Sequence, residues 1–341
     1  MIICVNTAAT NSEQDLYKVF YMVELSLKGL RGEKIIYNHD AYTASLIKEI
    51  NTEYLEVDFS KICSKDNIIL DCFSSATIEG ANTSIENIRK NKTDKSTVMA
   101  SNCISVVNDI LSNQIDVTKE KGLLAAWKIV VDSVCENEGA RGEKYRSGMV
   151  VVGNHTPEKP DRIDKDMESL FEYINQSEDD PLVKACVAHW YFVYVHPFCD
   201  GNGRMSRLLL SSVLRKYGFV DIFSVPISNL IMNNVDKYHK SIALGEKCIN
   251  DTLDITEHIN YMLKVIKNAL CFIKTEVNPD ESLIFDWMSK HKGAAITVKK
   301  CAEHLEISEN KARGLLEGMV NRGTLIKYKD GNKNYYRRNY L

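Results

Sequence analysis

Apolar residues recur at three- and four-residue intervals over most of residues 10–275, the spacing of helices that bury one face. DLYKVFYMVELSLKGL puts Leu16, Phe20, Val23 and Leu27 on one stripe and predicts an amphipathic helix. LVKACVAHWYFVYV (182–195) is apolar nearly all round, which predicts a helix buried on every side. Ile68, Ile69, Cys72, Phe73 and Ala76 predict a helix over about 65–80, ended by Gly80, and Thr83-Ser84-Ile85-Glu86 has the form of a capping box opening the next one. The helical stretch LLAAWKIVVDSVCE precedes an extended segment, YRSGMVVVG (145–153), whose Val150, Val151, Val152 and Gly153 lead into a Pro-spaced loop and predict a short β-hairpin. VNPDES (277–282) marks a boundary. Beyond it come a helix with Leu283, Ile284, Trp287 and Met288, two more helices about a turn at Ile307-Ser308, and two strand-like runs about a Gly-Asn turn at 331–332. That order is a winged helix-turn-helix. The expectation is a mainly α chain with one short hairpin and an α+β C-terminal module. Its predicted parts are an N-terminal helical region (1–95), a central core (96–275) and the C-terminal module (280–341).

Composition adds a charge asymmetry. The 341 residues exceed one ordinary core, and 44% apolar with 26% charged residues describes a globular protein. The net charge of −3 conceals twelve Lys/Arg against five acids in residues 290–341, a local +7 that leaves the rest at −10. A separate module with an anionic partner is one reading of this. Ten cysteines lie between Cys4 and Cys301 without CxxC or Cys/His ligand spacing, which argues against a zinc site or a disulfide framework. The start, MIICVNTAATNS, lacks a basic n-region, and no stretch approaches the roughly 18–20 apolar residues of a membrane span. A soluble, cytoplasmic chain with no membrane partner is expected.

The chemistry concentrates in HPFCDGNGRMSR (196–207). His196 ends the buried helix and Pro197 stops it. A histidine in such a place is more often structural than catalytic, but this one has unusual neighbours. Gly201-Asn202-Gly203 tolerates uncommon backbone angles and feeds a helix, RMSRLLLSSVLRKYG. A Gly-rich turn at a helix N-terminus is an anion site. Arg204 and Arg207 share one side of the first turn, where two cations oppose the helix dipole unless an anion sits nearby. Asp200 at the mouth of the turn is either a cap or the single carboxylate that, with phosphate oxygens, holds Mg²⁺. Phe198 reads as a buried ring pinning the loop, and Cys199 has no assignment. Together they describe transfer from a polyphosphate to a hydroxyl, with His196 accepting the proton. Neither the P-loop pattern nor the HRD and DFG elements of protein kinases occur.

HPFCDGNGRMSR resembles the signature of the Fic family, HxFx(D/E)GNGRxxR, at every specified position, and the similarity extends over about residues 60–260. YRSGMVVVG resembles the family's flap, and ISNLIMNNVDKYHKSI (227–242) its following helical region. The resemblance implies a helical Fic fold and transfer of AMP from ATP to a Tyr, Ser or Thr hydroxyl of a target protein or of the chain itself, releasing pyrophosphate. It implies His196 as general base, Asp200 as Mg²⁺ ligand and Phe198 as anchor. Gly201, Asn202 and Gly203 would form the anion nest, and Arg204 and Arg207 would hold the phosphates. The flap would bind the target by strand addition.

Ser75-x-x-x-Glu79-Gly80 resembles the family's inhibitory motif, (S/T)xxxE(G/N). The resemblance implies that Glu79 pairs with Arg207 in bidentate fashion and takes the arginine meant for the γ-phosphate. A solvent-facing Glu at a helix end is the plainer alternative. Other readings stay open. Relatives transfer phosphate or phosphocholine, or remove AMP with the Glu positioning a water. The chain could also be a transcription regulator that uses the Fic part as a sensor, with Lys311, Arg313, Lys327, Lys329 and Lys333 on DNA phosphates. The basic module could equally dock proteins or a second copy of the chain.

Overall fold

The structure, a computed structural model, describes residues 2–4, 21–140, 142–150, 156–276, 279–291, 294–321, 325–331 and 333–338. Its N-terminal part is a sheet, not the helix expected over 15–30. β1 (Ile2–Cys4), β2 (Tyr21–Lys28) and β3 (Lys34–His39) pair antiparallel. In β2, Val23, Leu25 and Leu27 alternate with Glu24, Ser26 and Lys28, and Leu25 and Leu27 are buried. This period of two prevails over the four-residue spacing of Val23 and Leu27 because strands on both sides satisfy its backbone. Leu16 and Phe20 lie outside the described residues.

Helices follow: α1 (Ala41–Glu56), α2 (Ser64–Ile78), α3 (Ile85–Arg89), α4 (Lys95–Leu111), α5 (Glu120–Val130), α6 (Ile163–Gln176), α7 (Pro181–Val195), α8 (Asn202–Lys216), α9 (Ile227–Met232) and α10 (Val235–Gly245). β4 (Cys248–Ile249) and β5 (Thr252–Asp254) then complete a five-stranded sheet in the order β1-β2-β3-β5-β4, with β5 parallel to β3. α11 (Thr256–Glu276) packs against α1, α7 and α10. The expected all-round burial of α7 holds: Trp190, Tyr191, Phe192 and Val195 are fully buried, and α8 packs along it. α2 lies between α4 and α9 with its end against α8. Ser84, not Thr83, caps α3, its Oγ accepting the Asn87 N–H at 3.2 Å, so the cap stands one residue later than expected and Glu86 is not at the position of a capping-box partner.

The described part of the expected hairpin, residues 145–150, forms no strand. The Arg146 guanidinium bonds the Gly148 and Glu158 carbonyls. Val150 is half-buried; Val151, Val152 and Gly153 lie outside the described residues. The C-terminal part comprises α12 (Pro279–Lys290), α13 (Val298–Leu305), α14 (Glu309–Asn321) and an antiparallel pair, β6 (Leu325–Asp330) and β7 (Lys333–Arg338), which Ile296 joins at Tyr336. Among the described residues no helix is long and apolar enough to cross a membrane.

Candidate active site

The loop from α7 to α8 is set by short-range contacts. His196 caps α7 in the left-handed region, φ 54°, a conformation costing a non-glycine residue about 1–2 kcal/mol. Its Nδ1 lies 3.3 Å from the Val193 carbonyl. A carbonyl can only accept, so Nδ1 carries a proton. Phe198 is fully buried and lies flat on Trp127, centroids 4.5 Å apart and planes at 6°. The Asn202 side chain clips the loop shut: its Oδ1 accepts the Phe198 N–H at 2.9 Å and its Nδ2 donates to the Phe198 carbonyl at 2.8 Å. Gly201, φ 82°, makes the turn. The first bond inside α8 runs from Met205 N–H to the Gly201 carbonyl, so the amides of Asn202, Gly203 and Arg204 stand at the helix's open end.

Each first-turn arginine has its own carboxylate. Arg204, almost wholly buried, donates from Nη2 to Asp200 Oδ1 at 3.2 Å and from Nη1 to the Val130 carbonyl at 3.0 Å. Asp200 Oδ1 also accepts the Gly201 N–H, and Oδ2 accepts the Glu136 N–H at 2.9 Å. Arg207 donates from Nη2 to Glu79 Oε1 at 2.8 Å and to the Ser75 carbonyl at 2.9 Å, and from Nε to Ser75 Oγ at 2.9 Å. The pair is therefore not bidentate as expected: Ser75 takes half of the guanidinium fork. Burial alone would lower the Arg207 pKa; the Glu79 carboxylate, then the Tyr238 phenol, outweigh it and leave it raised.

The end of α2 aims Glu79. Ala81 N–H bonds the Ala76 carbonyl and Gly80 N–H the Thr77 carbonyl, with Gly80 at φ 89°. Glu79 is the C-cap residue. Its carboxylate rests on Gly203, where a Cβ would stand 2.1 Å from Oε1. The negative charge that opposes the dipole of α2 thus lies at the favourable N-terminal end of α8.

Residues 122–214 match the family described as Fic/DOC. They are a Fic/DOC family domain. The chain is 37% identical over 79 residues to protein adenylyltransferase Fic of Nematostella vectensis, covering 22% of this chain and 18% of that protein. It is 37% identical over 79 residues to protein adenylyltransferase fic-1 of Caenorhabditis elegans, covering 22% and 16%. With protein adenylyltransferase Fic of Drosophila yakuba it shares 34% over 116 residues, 33% and 23% of the two chains. The matches span about a fifth of the length of these curated relatives. Among solved structures, a Fic family protein from Desulfovibrio desulfuricans G20 superimposes with TM-score 0.61 at 20% identity, over 87% of this chain and 96% of that one. Fic-1 from Caenorhabditis elegans does so with TM-score 0.54 at 16% identity, over 70% and 74%. The chain has the Fic fold.

Three features of the Fic domain carried no signal in the sequence. Trp127 stacks on Phe198 and donates from Nε1 to the Asp200 carbonyl at 3.0 Å. Arg146 donates to the carbonyls of His196 (2.8 Å), Gly148 (3.0 Å) and Glu158, tying the active-site loop to both sides of residues 149–157. Cys199 has a partner after all, Cys135, with sulfurs 3.8 Å apart; burial pushes Cys135 up to about 12 and raises Cys199, so both stay as thiols. Lys311, Arg313, Lys327, Lys329 and Lys333 lie on the C-terminal elements, where Lys311 pairs with Asp280 (3.3 Å) and Lys327 with Glu317 (2.6 Å).

Proposed function

We propose that the chain is a protein adenylyltransferase held in check by Glu79. The observation that carries this reading is the open end of α8, where the Glu79 carboxylate lies against Gly203 and pairs with Arg207. A triphosphate seeks the same donors that Glu79 now occupies. His196 Nε2 would take the proton of the target hydroxyl, whose oxygen attacks the α-phosphorus. The bond from that phosphorus to the α–β bridging oxygen breaks, and pyrophosphate leaves.

Asp200 suits a Mg²⁺ ion shared with phosphate. Its side chain is one-fifth exposed, and Oδ2, holding only the Glu136 amide, keeps a lone pair. Such an ion would neutralise phosphate charge. Arg204, bonded through Nη1 to Val130 and through Nη2 to Asp200, would act chiefly by holding that carboxylate in place. The flap near 150–156 would hold the target segment, with Arg146 bonded to the Gly148 and Glu158 carbonyls on either side of it.

We read residues 279–338 as a winged helix-turn-helix, with Lys329 and Lys333 on the exposed wing. Gel shifts at rising salt, with and without residues 280–341, test whether it binds DNA.

The test of the reaction is transfer of label from ATP to protein by the wild type, by Glu79→Gly and by Glu79→Gly/His196→Ala. The expected order is little, much and none. A Glu79→Gly protein that labels nothing, itself included, overturns the reading. ADP production or a phosphoryl mass on the product would indicate phosphotransfer instead.

A further inference from the structure

Four buried side chains that this reaction leaves unused lie end to end beside Arg207. Ser241 Oγ is 2.8 Å from the Tyr238 carbonyl oxygen and 3.0 Å from His258 Nδ1. His258 Nε2 is 3.2 Å from His189 Nδ1, and His189 Nε2 is 2.9 Å from the Tyr238 hydroxyl. The residues come from α7, α10 and α11, and both histidines are completely buried. The Tyr238 phenol faces the guanidinium of Arg207 and, through it, Glu79. Arg207 Nη1 is buried and makes no hydrogen bond of normal geometry.

Both ends of the chain select the same order of protons. A carbonyl only accepts, so the Ser241 hydroxyl donates to Tyr238 C=O and receives His258 Nδ1–H. His258 Nε2 is then the acceptor for His189 Nδ1–H, and His189 Nε2 the acceptor for the phenol hydrogen. At the other end a guanidinium only donates, so the phenol oxygen beside it must present lone pairs. It does so when its hydrogen points to His189. Both rings stay neutral: burial pulls His258 down to about 3, and burial, then His258 and Arg207, hold His189 far below its ordinary value.

We propose that Tyr238, His189, His258 and Ser241 form a positioning chain that aims Arg207 at the outer phosphate of the nucleotide once Glu79 is displaced. The proposal rests on the adenylyl-transfer reading above. Of the contacts that hold Arg207 from the end of α2, those of Ser75 Oγ, Ser75 C=O and Glu79 Oε1, the last is the one a nucleotide must displace. Tyr238 belongs to α10 and stays behind. An anionic partner there would compete with phosphate for the arginine, as Glu79 does. A neutral phenol with oriented lone pairs fixes the side chain and leaves its charge for the ligand.

The test is calorimetric binding of ATP and of AMP, which lacks the outer phosphates, to Glu79→Gly with and without Tyr238→Phe. ATP binding should weaken about 3- to 10-fold, the equivalent of one ordinary polar contact. AMP binding should change less than about twofold, as it does not reach the arginine. Ser241→Ala, at the far end, should give a smaller loss confined to ATP. Unchanged ATP binding, or equal weakening of ATP and AMP, overturns the proposal; if Tyr238→Phe does not fold, Ser241→Ala decides alone. A Glu79→Gly protein that binds ATP without transferring AMP overturns the reaction and leaves this comparison as the test of the chain. Failure to bind ATP overturns both.

Discussion

Glu79 Oε1 stands 2.8 Å from Arg207 Nη2 while its carboxylate rests on the backbone of Gly203, so one side chain covers both the arginine and the open start of α8. The two residues are 128 positions apart, and the contact is made where two helix ends meet. Arg207 is nearly inaccessible, but a third of the Glu79 side chain remains exposed. An incoming anion can therefore approach the carboxylate before it reaches the arginine.

Gly203→Ala should destabilise the wild type by about 1–3 kcal/mol, because the new Cβ would fall on the Glu79 carboxylate. In a Glu79→Gly background the same change should be neutral or mildly stabilising, since alanine suits a helix better than glycine. Urea melts of the four proteins give the coupling; additive effects would contradict the packing of Glu79 on Gly203.

Ser75→Ala removes the acceptor of Arg207 Nε and leaves Glu79 untouched. The expected cost is about 1–3 kcal/mol, the penalty of a buried donor left unpaired. Label transfer should rise above wild type and stay below Glu79→Gly, which a side-by-side assay at equal folded fraction would reveal.

Asn202→Ala opens the clip on the loop and strands the buried N–H and C=O of Phe198. About 1–3 kcal/mol is expected for each group, together with loss of transfer. Thermal melts and the labelling assay measure the two effects separately.

Arg146→Lys cannot replace a planar fork that serves three carbonyls. Transfer to the target should fall about tenfold or more, while the ATP dissociation constant stays put. An equal loss of ATP binding would place Arg146 with the nucleotide instead.

Acid should reveal the buried imidazoles. His258 is pulled to about 3 in the folded protein, against an unfolded value of about 6.5. A depressed histidine contributes stability that is present above 6.5 and is lost as pH falls towards 3, because only the unfolded chain takes the proton. By pH 5 this single group should cost about 2 kcal/mol. Wild type should therefore lose about that much more stability than His258→Gln between pH 7.5 and 5, as measured by chemical denaturation.

The geometry of the loop from α7 to α8 was legible because it is local. Within HPFCDGNGRMSR, Asn202 bonds back four residues to Phe198, Gly201 makes the turn, and the helix that follows opens its own amides, all through contacts inside twelve residues. α7 was legible for a related reason, since a helix apolar on every side can only be buried. The end of α2 needed nothing but Gly80 and its two backbone bonds.

Other features depend on groups brought from a distance. β2 reads as a helix until strands stand on both sides of it, since Val23 and Leu27 satisfy both periods. The division of the Arg207 fork between Ser75 and Glu79, the hold of Arg204 on Asp200, and the reach of Arg146 to three carbonyls were set by packing. The chain from Ser241 to Tyr238 joins three helices through rings with no spacing in common. A sequence specifies which donors and acceptors exist and how its nearest neighbours bend. Which distant partner each buried group meets is decided when helices dock and most polar atoms in the interior must be satisfied at once.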